Sequence, residues 1–170
     1  MLSNVLYSIL KSPVVGDLLL VADAHGLRSV SFQPPKYPLV KQSLPADWEH
    51  SDSALKDVRD QLQAYFSGRL QVFNLPLAPA GTPFQRSVWD ALCQVPWGKT
   101  ASYRQIAEAI GNPKACRAVG LANGRNPIPI IIPCHRIVGS DQRLVGYAGG
   151  LHLKKILLEL EDSQSKPRLF

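Results

Sequence analysis

Three prolines in seven residues, Pro127, Pro129 and Pro133, punctuate a run of isoleucines at 128 and 130–132, and no other stretch restricts the chain so tightly. Proline fixes its own φ, donates no backbone hydrogen bond and biases the residue before it toward extended conformations, so a helix is excluded here. The isoleucines require burial. The expected result is a stiff, buried, extended arm that delivers the residues following it, Cys134, His135 and Arg136, to a fixed place.

A second proline-containing stretch, residues 75–81 (LPLAPAG), suits neither a helix nor a strand interior and marks a boundary. The expected division is a domain over 1–75, a linker over 76–81, a second domain over 82–162 and a tail over 163–170. Charge divides at the same place. Residues 1–81 hold seven Lys/Arg against seven Asp/Glu, while 82–170 hold twelve against six, so the whole excess of +6 lies in the second half. Basic side chains release counterions from phosphates, which makes nucleic acid a candidate partner for that half, although many modestly basic proteins never touch DNA.

With 45% hydrophobic residues the chain can bury a sizeable core. No stretch approaches the roughly 20 consecutive apolar residues that span a bilayer, and no charged, then apolar, leader opens the chain, so the cytoplasm is the expected location and no membrane partner is foreseen. Three cysteines with no CxxC pair argue against a disulfide framework and against structural zinc.

Local patterns fill in the two halves. Residues 5–10, 17–23 and 27–33 read as a meander of short strands, 34–50 as an excursion loop, and Leu55, Val58, Leu62, Tyr65 and Phe66 as a helix ended by Gly68. Thr82-Pro83-Phe84-Gln85 opens a helix with a capping box and proline at its first position. Ser102 and Gln105 offer a second capping box, with a helix through Ile106, Ala107 and Ile110 to Gly111. Another helix is expected from Asn112-Pro113 through Ala115, Val119 and Leu121 to Asn123-Gly124. Such a pair is either a helix-turn-helix, with Lys114 and Arg117 at the head of its second member, or an ordinary helical hairpin. The last helix places Leu153, Ile156, Leu157 and Leu160 on one face, with Glu161 close behind.

Only a thiolate attacks, and the basic neighbours of Cys134 favour ionisation. On an extended backbone, however, successive side chains alternate, so His135 reaches the sulfur only through a bridging water or a sharp turn. The alternative is a cysteine that merely packs. Cys93 and Cys116, within helices and without such neighbours, read as packing residues.

The string Pro133-Cys134-His135-Arg136-Ile137-Val138 closely resembles the signature of the O6-alkylguanine-DNA alkyltransferases, also called methylated-DNA–protein-cysteine methyltransferases. Gly81 to Gln85, residues 98–103 (GKTASY), Arg117-Ala118-Val119-Gly120, Asn126-Pro127, Gly146-Tyr147-Ala148-Gly149-Gly150 and Glu161 match the family in order, so the resemblance covers 81–161. It implies an α+β fold, with a small N-terminal α/β (ribonuclease H-like) domain followed by a mostly helical, winged helix-turn-helix-like domain. It implies repair of double-stranded DNA containing O6-alkylguanine by single, irreversible alkyl transfer to Cys134, with O4-alkylthymine a further candidate substrate, by a monomer without cofactor. Residues 1–80 contain no cysteine, so the zinc site of some relatives is not expected.

The resemblance makes His135, acting through water, the base, Glu161 its orienter, and Tyr103 a donor to the leaving guanine. Tyr147, Ala148, Ile137 and Asn126 would shape or bind at the guanine pocket. Ala148 replaces the serine of several relatives and leaves only its backbone N–H. Arg117 would fill the gap left by a flipped nucleotide, with Lys114, Ala118 and Arg136 also assigned to the DNA surface. The competing readings are a helix-turn-helix regulator with a non-catalytic cysteine and, less suited to adjacent Cys134-His135, a cysteine hydrolase.

Overall fold

The structure, a computed structural model, describes residues 4–33 and 44–165. The chain divides into two compact units between Ala80 and Gly81.

In the first unit, β1 (Val5–Leu10), β2 (Leu18–Asp23) and β3 (Gly26–Phe32) form the expected antiparallel meander. Apolar runs set the layering, and Leu18, Leu20 and Val21 of β2 are buried. The β2–β3 turn is held by the Asp23 carboxylate, which accepts the His25 N–H at 2.8 Å. At Gly26, φ is +134° and an added Cβ would lie 2.4 Å from the Pro76 carbonyl oxygen, so only glycine fits. That contact exists because residues 76–78, expected to be linker, lie along β3. Leu27 N–H donates to Pro76 O and Ala78 N–H to Leu27 O, both at 2.8 Å.

The stretch read as an excursion loop also contains a strand. β4 (Trp48–His50) pairs parallel with β1, giving the order β3-β2-β1-β4, while residues 34–43 lie outside the described residues. Helix α1 (Lys56–Phe66) buries Val58, Leu62 and Tyr65 and ends before Gly68, whose φ is +72°. Arg59 ties α1 to β1, its Nη1 donating to Ser8 Oγ at 2.6 Å and Ile9 O at 2.9 Å.

The second unit starts at α2 (Pro83–Cys93), whose capping box forms as read: Gln85 N–H donates to Thr82 Oγ1 and Thr82 N–H to Gln85 Oε1. Trp89 on its inner face donates Nε1–H to Ala122 O at 2.9 Å and closes over Gly81. A Cβ at position 81 would come within 2.5 Å of the indole ring. Gly81→Ala is therefore expected to lower stability by about 1–3 kcal/mol through overpacking, read as a fall in the melting temperature.

Strand β5 (Ala101–Ser102) leads through the second capping box into α3 (Tyr103–Ala109). Gly111, with φ +74°, turns the chain toward α4 (Cys116–Gly124). That helix starts later than the Asn112-Pro113 signal suggested, because the Ala115 N–H closes a turn on Asn112 O first. Leu121, expected on the apolar face, is instead 65% exposed. Cys93 is exposed and Cys116 half-buried, so neither is the packed thiol expected of it.

The proline arm is buried, as its isoleucines require, but it is not straight. Ile130 has φ +75°, and Ile132 N–H returns to Ile128 O at 2.9 Å. A 3₁₀ turn (Cys134–Arg136), strand β6 (Ile137–Val138, parallel to β5) and α5 (Leu151–Ser165) follow. Helix α5 thus runs three residues beyond the expected start of the tail. Its buried stripe is Lys154, Leu157 and Glu161 at i, i+3 and i+7, a rotation of the face foreseen from the leucines alone. Among the described residues, no helix is long and apolar enough to cross a membrane.

Candidate active site

Asn126 anchors the arm at both ends: its Nδ2 donates to Ile132 O at 2.8 Å while its Oδ1 accepts the Ile128 N–H at 2.9 Å. The folded-back arm then enters the 3₁₀ turn, the sharp bend that an extended reading could not supply. Cys134 is 2% exposed. Burial pushes its thiol up to about 11, opposed by a hydrogen bond with the Asn126 side chain, the Lys154 charge and nearby backbone N–H groups. The expectation that basic neighbours keep this sulfur ionised is therefore corrected. Desolvation wins, and the resting group is a thiol.

Within the same turn His135 and Arg136 both reach Glu161 on α5. His135 Nε2 lies 2.7 Å from Glu161 Oε1. Arg136 approaches both carboxylate oxygens, Nε at 3.0 Å from Oε2 and Nη2 at 3.0 Å from Oε1, while its Nη1 donates to Val95 O at 2.6 Å. Gly98 N–H adds a fourth group at 3.1 Å from Oε2. Burial alone would raise the Glu161 carboxyl, but His135 and Arg136 together bring it down to about 2. Because a carboxylate only accepts, the hydrogen between it and His135 sits on Nε2, and the lone pair of the neutral ring is on Nδ1. Burial depresses the imidazole against the opposing pull of Glu161, so His135 rests neutral. These are the properties of a base.

This arrangement removes Arg136 from the DNA surface assigned to it. The side chain is 6% exposed and its guanidinium is committed to Glu161 and Val95. Lys114, Arg117 and Ala118 are exposed, as a surface role requires.

The phenols of Tyr103 and Tyr147 both stand close enough to Cys134 for a thiolate there to raise them, in addition to the larger effect of burial. Tyr103 OH donates to Val145 O at 3.2 Å. Lys154 Nζ donates to Ile137 O at 2.5 Å, Val145 O at 2.8 Å and Gly146 O at 3.3 Å. A fully buried lysine thus ties the loop before Tyr147 to β6. Burial lowers it to about 8, with Cys134 pulling the other way. Sequence reasoning missed this residue. The available signal was its position seven residues before Glu161 on the same face of α5.

A profile described as the 6-O-methylguanine DNA methyltransferase DNA-binding domain matches residues 83–163, and one for the ribonuclease-like domain of the same proteins matches 5–79. The chain belongs to the 6-O-methylguanine DNA methyltransferase family. A methylated-DNA–protein-cysteine methyltransferase of Methanosarcina barkeri is 51% identical over 92% of this chain and 97% of its own. The protein of that name from Mycobacterium tuberculosis is 43% identical over 94% and 93%. The crystal structure of the Mycobacterium tuberculosis O6-methylguanine methyltransferase superposes with a TM-score of 0.83 over 97% of both chains at 43% identity, and that organism's protein has also been crystallised with DNA. The α+β fold of the family is thereby established for this chain.

Against the family's motif, the structure gathers Cys134, His135, Glu161, Tyr103, Tyr147 and Asn126 in one place. Ile137 contributes a carbonyl already engaged by Lys154. Ala148 is exposed on the adjoining loop. Among the described residues no three His, Cys, Asp or Glu side chains could together hold a metal ion.

Proposed function

We propose that this chain repairs double-stranded DNA by moving the alkyl group of O6-alkylguanine onto Sγ of Cys134, once per molecule. The observation that carries the reading is the pairing of a buried thiol, protonated at rest, with a neutral imidazole whose tautomer is set by an ionised Glu161.

The alkyl carbon is unreachable inside the stack, so the nucleotide must be turned out, at a cost of a few kcal/mol. Arg117, exposed at the head of α4, fills the gap. His135 Nδ1 takes the thiol proton through a water, and the sulfur attacks the alkyl carbon in line with the C–O6 bond. A C–S bond forms as the C–O bond breaks, and its electron pair stays on guanine. Tyr103 and the Ala148 N–H stabilise that charge, the displaced proton neutralises the base, and the carbonyls of Cys134 and Ile137 receive its exocyclic amine. The thioether is not hydrolysed in water, so the product is spent protein.

All reacting groups come from one chain, which suits a monomer, and unpaired thiols suit a reducing cytoplasm. The test is stoichiometry. Duplex DNA with a labelled O6-methyl group should transfer close to one label per protein molecule and then stop. Continued release of methanol or another free product would show a hydrolase, and no label on protein would show a regulator in which Cys134 merely packs.

A further inference from the structure

Helix α4 carries into the interior one polar side chain that the reaction as written does not use. Asn123 is 4% exposed, and among the described residues its Oδ1 has no hydrogen-bond partner. A buried carbonyl oxygen left unpaired forfeits the bonds it would make to water, so its place in the fold needs a reason.

Its neighbours locate it. One turn earlier, a Cβ at Gly120 would lie 3.8 Å from the Tyr103 ring. One turn later, Asn126 N–H donates to Asn123 O at 3.3 Å, and the Asn126 side chain hydrogen-bonds the sulfur of Cys134. Residues three apart are neighbours on a helix surface. Asn123 therefore stands between the phenol that serves the leaving guanine and the sulfur that accepts the alkyl group, beside the path of the alkyl group itself. Donors at the adjoining positions are committed. The Asn126 amide N–H groups go to Ile132 O and the sulfur, Tyr103 OH donates to Val145 O, and the Trp89 indole N–H goes to Ala122 O.

We infer that Asn123 is a polar wall of the alkyl chamber and favours O6-alkyl groups with a hydroxyl on their second carbon, of which 2-hydroxyethyl is the simplest. The inference rests on the repair reading above and deepens it by naming a substrate class. A hydroxyl there donates to Oδ1 and can also accept from the amide Nδ2. An n-propyl group has the same length but leaves Oδ1 unpaired and shut off from water. Sites with an unmet polar group discriminate against analogues that cannot pair with it. The bonds exchanged are those already written. The C–O6 bond breaks with its electron pair left on guanine, the C–S bond forms at the first carbon, and the thiol proton passes through His135 to neutralise the base. The product is S-(2-hydroxyethyl)cysteine at position 134.

Single-turnover transfer to the full chain, from two duplexes that differ only in carrying O6-(2-hydroxyethyl)guanine or O6-n-propylguanine, tests it. The ratio of the two rates should be about tenfold higher in wild type than in Asn123→Leu, whose side chain has a similar shape and no polar atom. Comparing ratios cancels the inherent reactivities of the two adducts. Because leucine removes an unpaired atom, the melting temperature of the variant should be no lower than that of wild type. If the variant does not fold, wild type decides alone, since n-propyl transfer as fast as hydroxyethyl transfer would overturn the inference. Ratios within twofold of each other in the two proteins would overturn it, with a lowered melting temperature marking a purely structural asparagine. Equal slowing of both adducts in Asn123→Leu would overturn it too, because the residue would then contact guanine rather than the alkyl group. Label on wild type from O6-methylguanine without any adduct preference removes this inference alone. No label from any of the three adducts removes the repair reading and the inference with it.

Discussion

Cys134→Ser is expected to bind alkylated duplex within about twofold of wild type while losing alkyl transfer by roughly 10⁴-fold or more, the scale seen when a nucleophile is removed from an intact site. The reason is chemical rather than steric. A hydroxyl is close to the thiol in size, and the Asn126 side chain that faces the sulfur can hydrogen-bond the oxygen, so the arm stays in place. Burial already holds the thiol near 11, and an alcohol starts from a far higher value, so His135 cannot generate a usable anion from it. Label incorporated per protein molecule, measured beside anisotropy on the same duplex, separates chemistry from binding. Transfer by the serine variant at a tenth of the wild-type rate would place the acceptor elsewhere.

His135→Gln should change the shape of the pH profile as well as the rate. With a thiol near 11, only about one sulfur in ten thousand is ionised at pH 7 without assistance. By the proposed mechanism the neutral imidazole supplies that ionisation in wild type, so the single-turnover rate should be level through neutral and mildly alkaline pH. It should fall only in acid, where His135 protonates at a value burial has depressed. Without the base, hydroxide must remove the proton. The rate should then drop about 10²–10⁴-fold at pH 7 and rise tenfold per pH unit toward pH 10. Glu161 keeps its bonds to Arg136 and Gly98 in this variant, so no uncompensated charge is left buried and the fold should survive. A variant profile parallel to wild type would show that His135 is not the base.

Much of this architecture was legible because local rules agreed with the tertiary result. Strands β1 to β3 and the two capping boxes follow from turn residues and helix-start chemistry that act within a few positions. Other features depended on distant partners. Strand β4 is three residues long and exists through its parallel register with β1, which no local pattern encodes. Arg136 looked like a surface cation beside a reactive cysteine, and only the fold reveals that Glu161, 25 residues away, draws it inside. The state of Cys134 was misjudged for a similar reason. Neighbours in sequence were counted as charges near the sulfur, whereas burial holds His135 neutral, Glu161 pairs Arg136 and desolvation of the sulfur dominates. Site composition came from a resemblance at named motifs, while Lys154, outside those motifs, emerged from burial alone.

Helix α5 carries both Lys154, which grips the pocket loop, and Glu161, which grips the imidazole, on one side and two turns apart. Two supports mounted on a single rigid rod drift together: thermal sway of the rod moves roof and base in step and leaves their spacing nearly constant. The same economy makes the device fail as a unit, since unseating that rod would release the loop before Tyr147 and the His135 imidazole in one event.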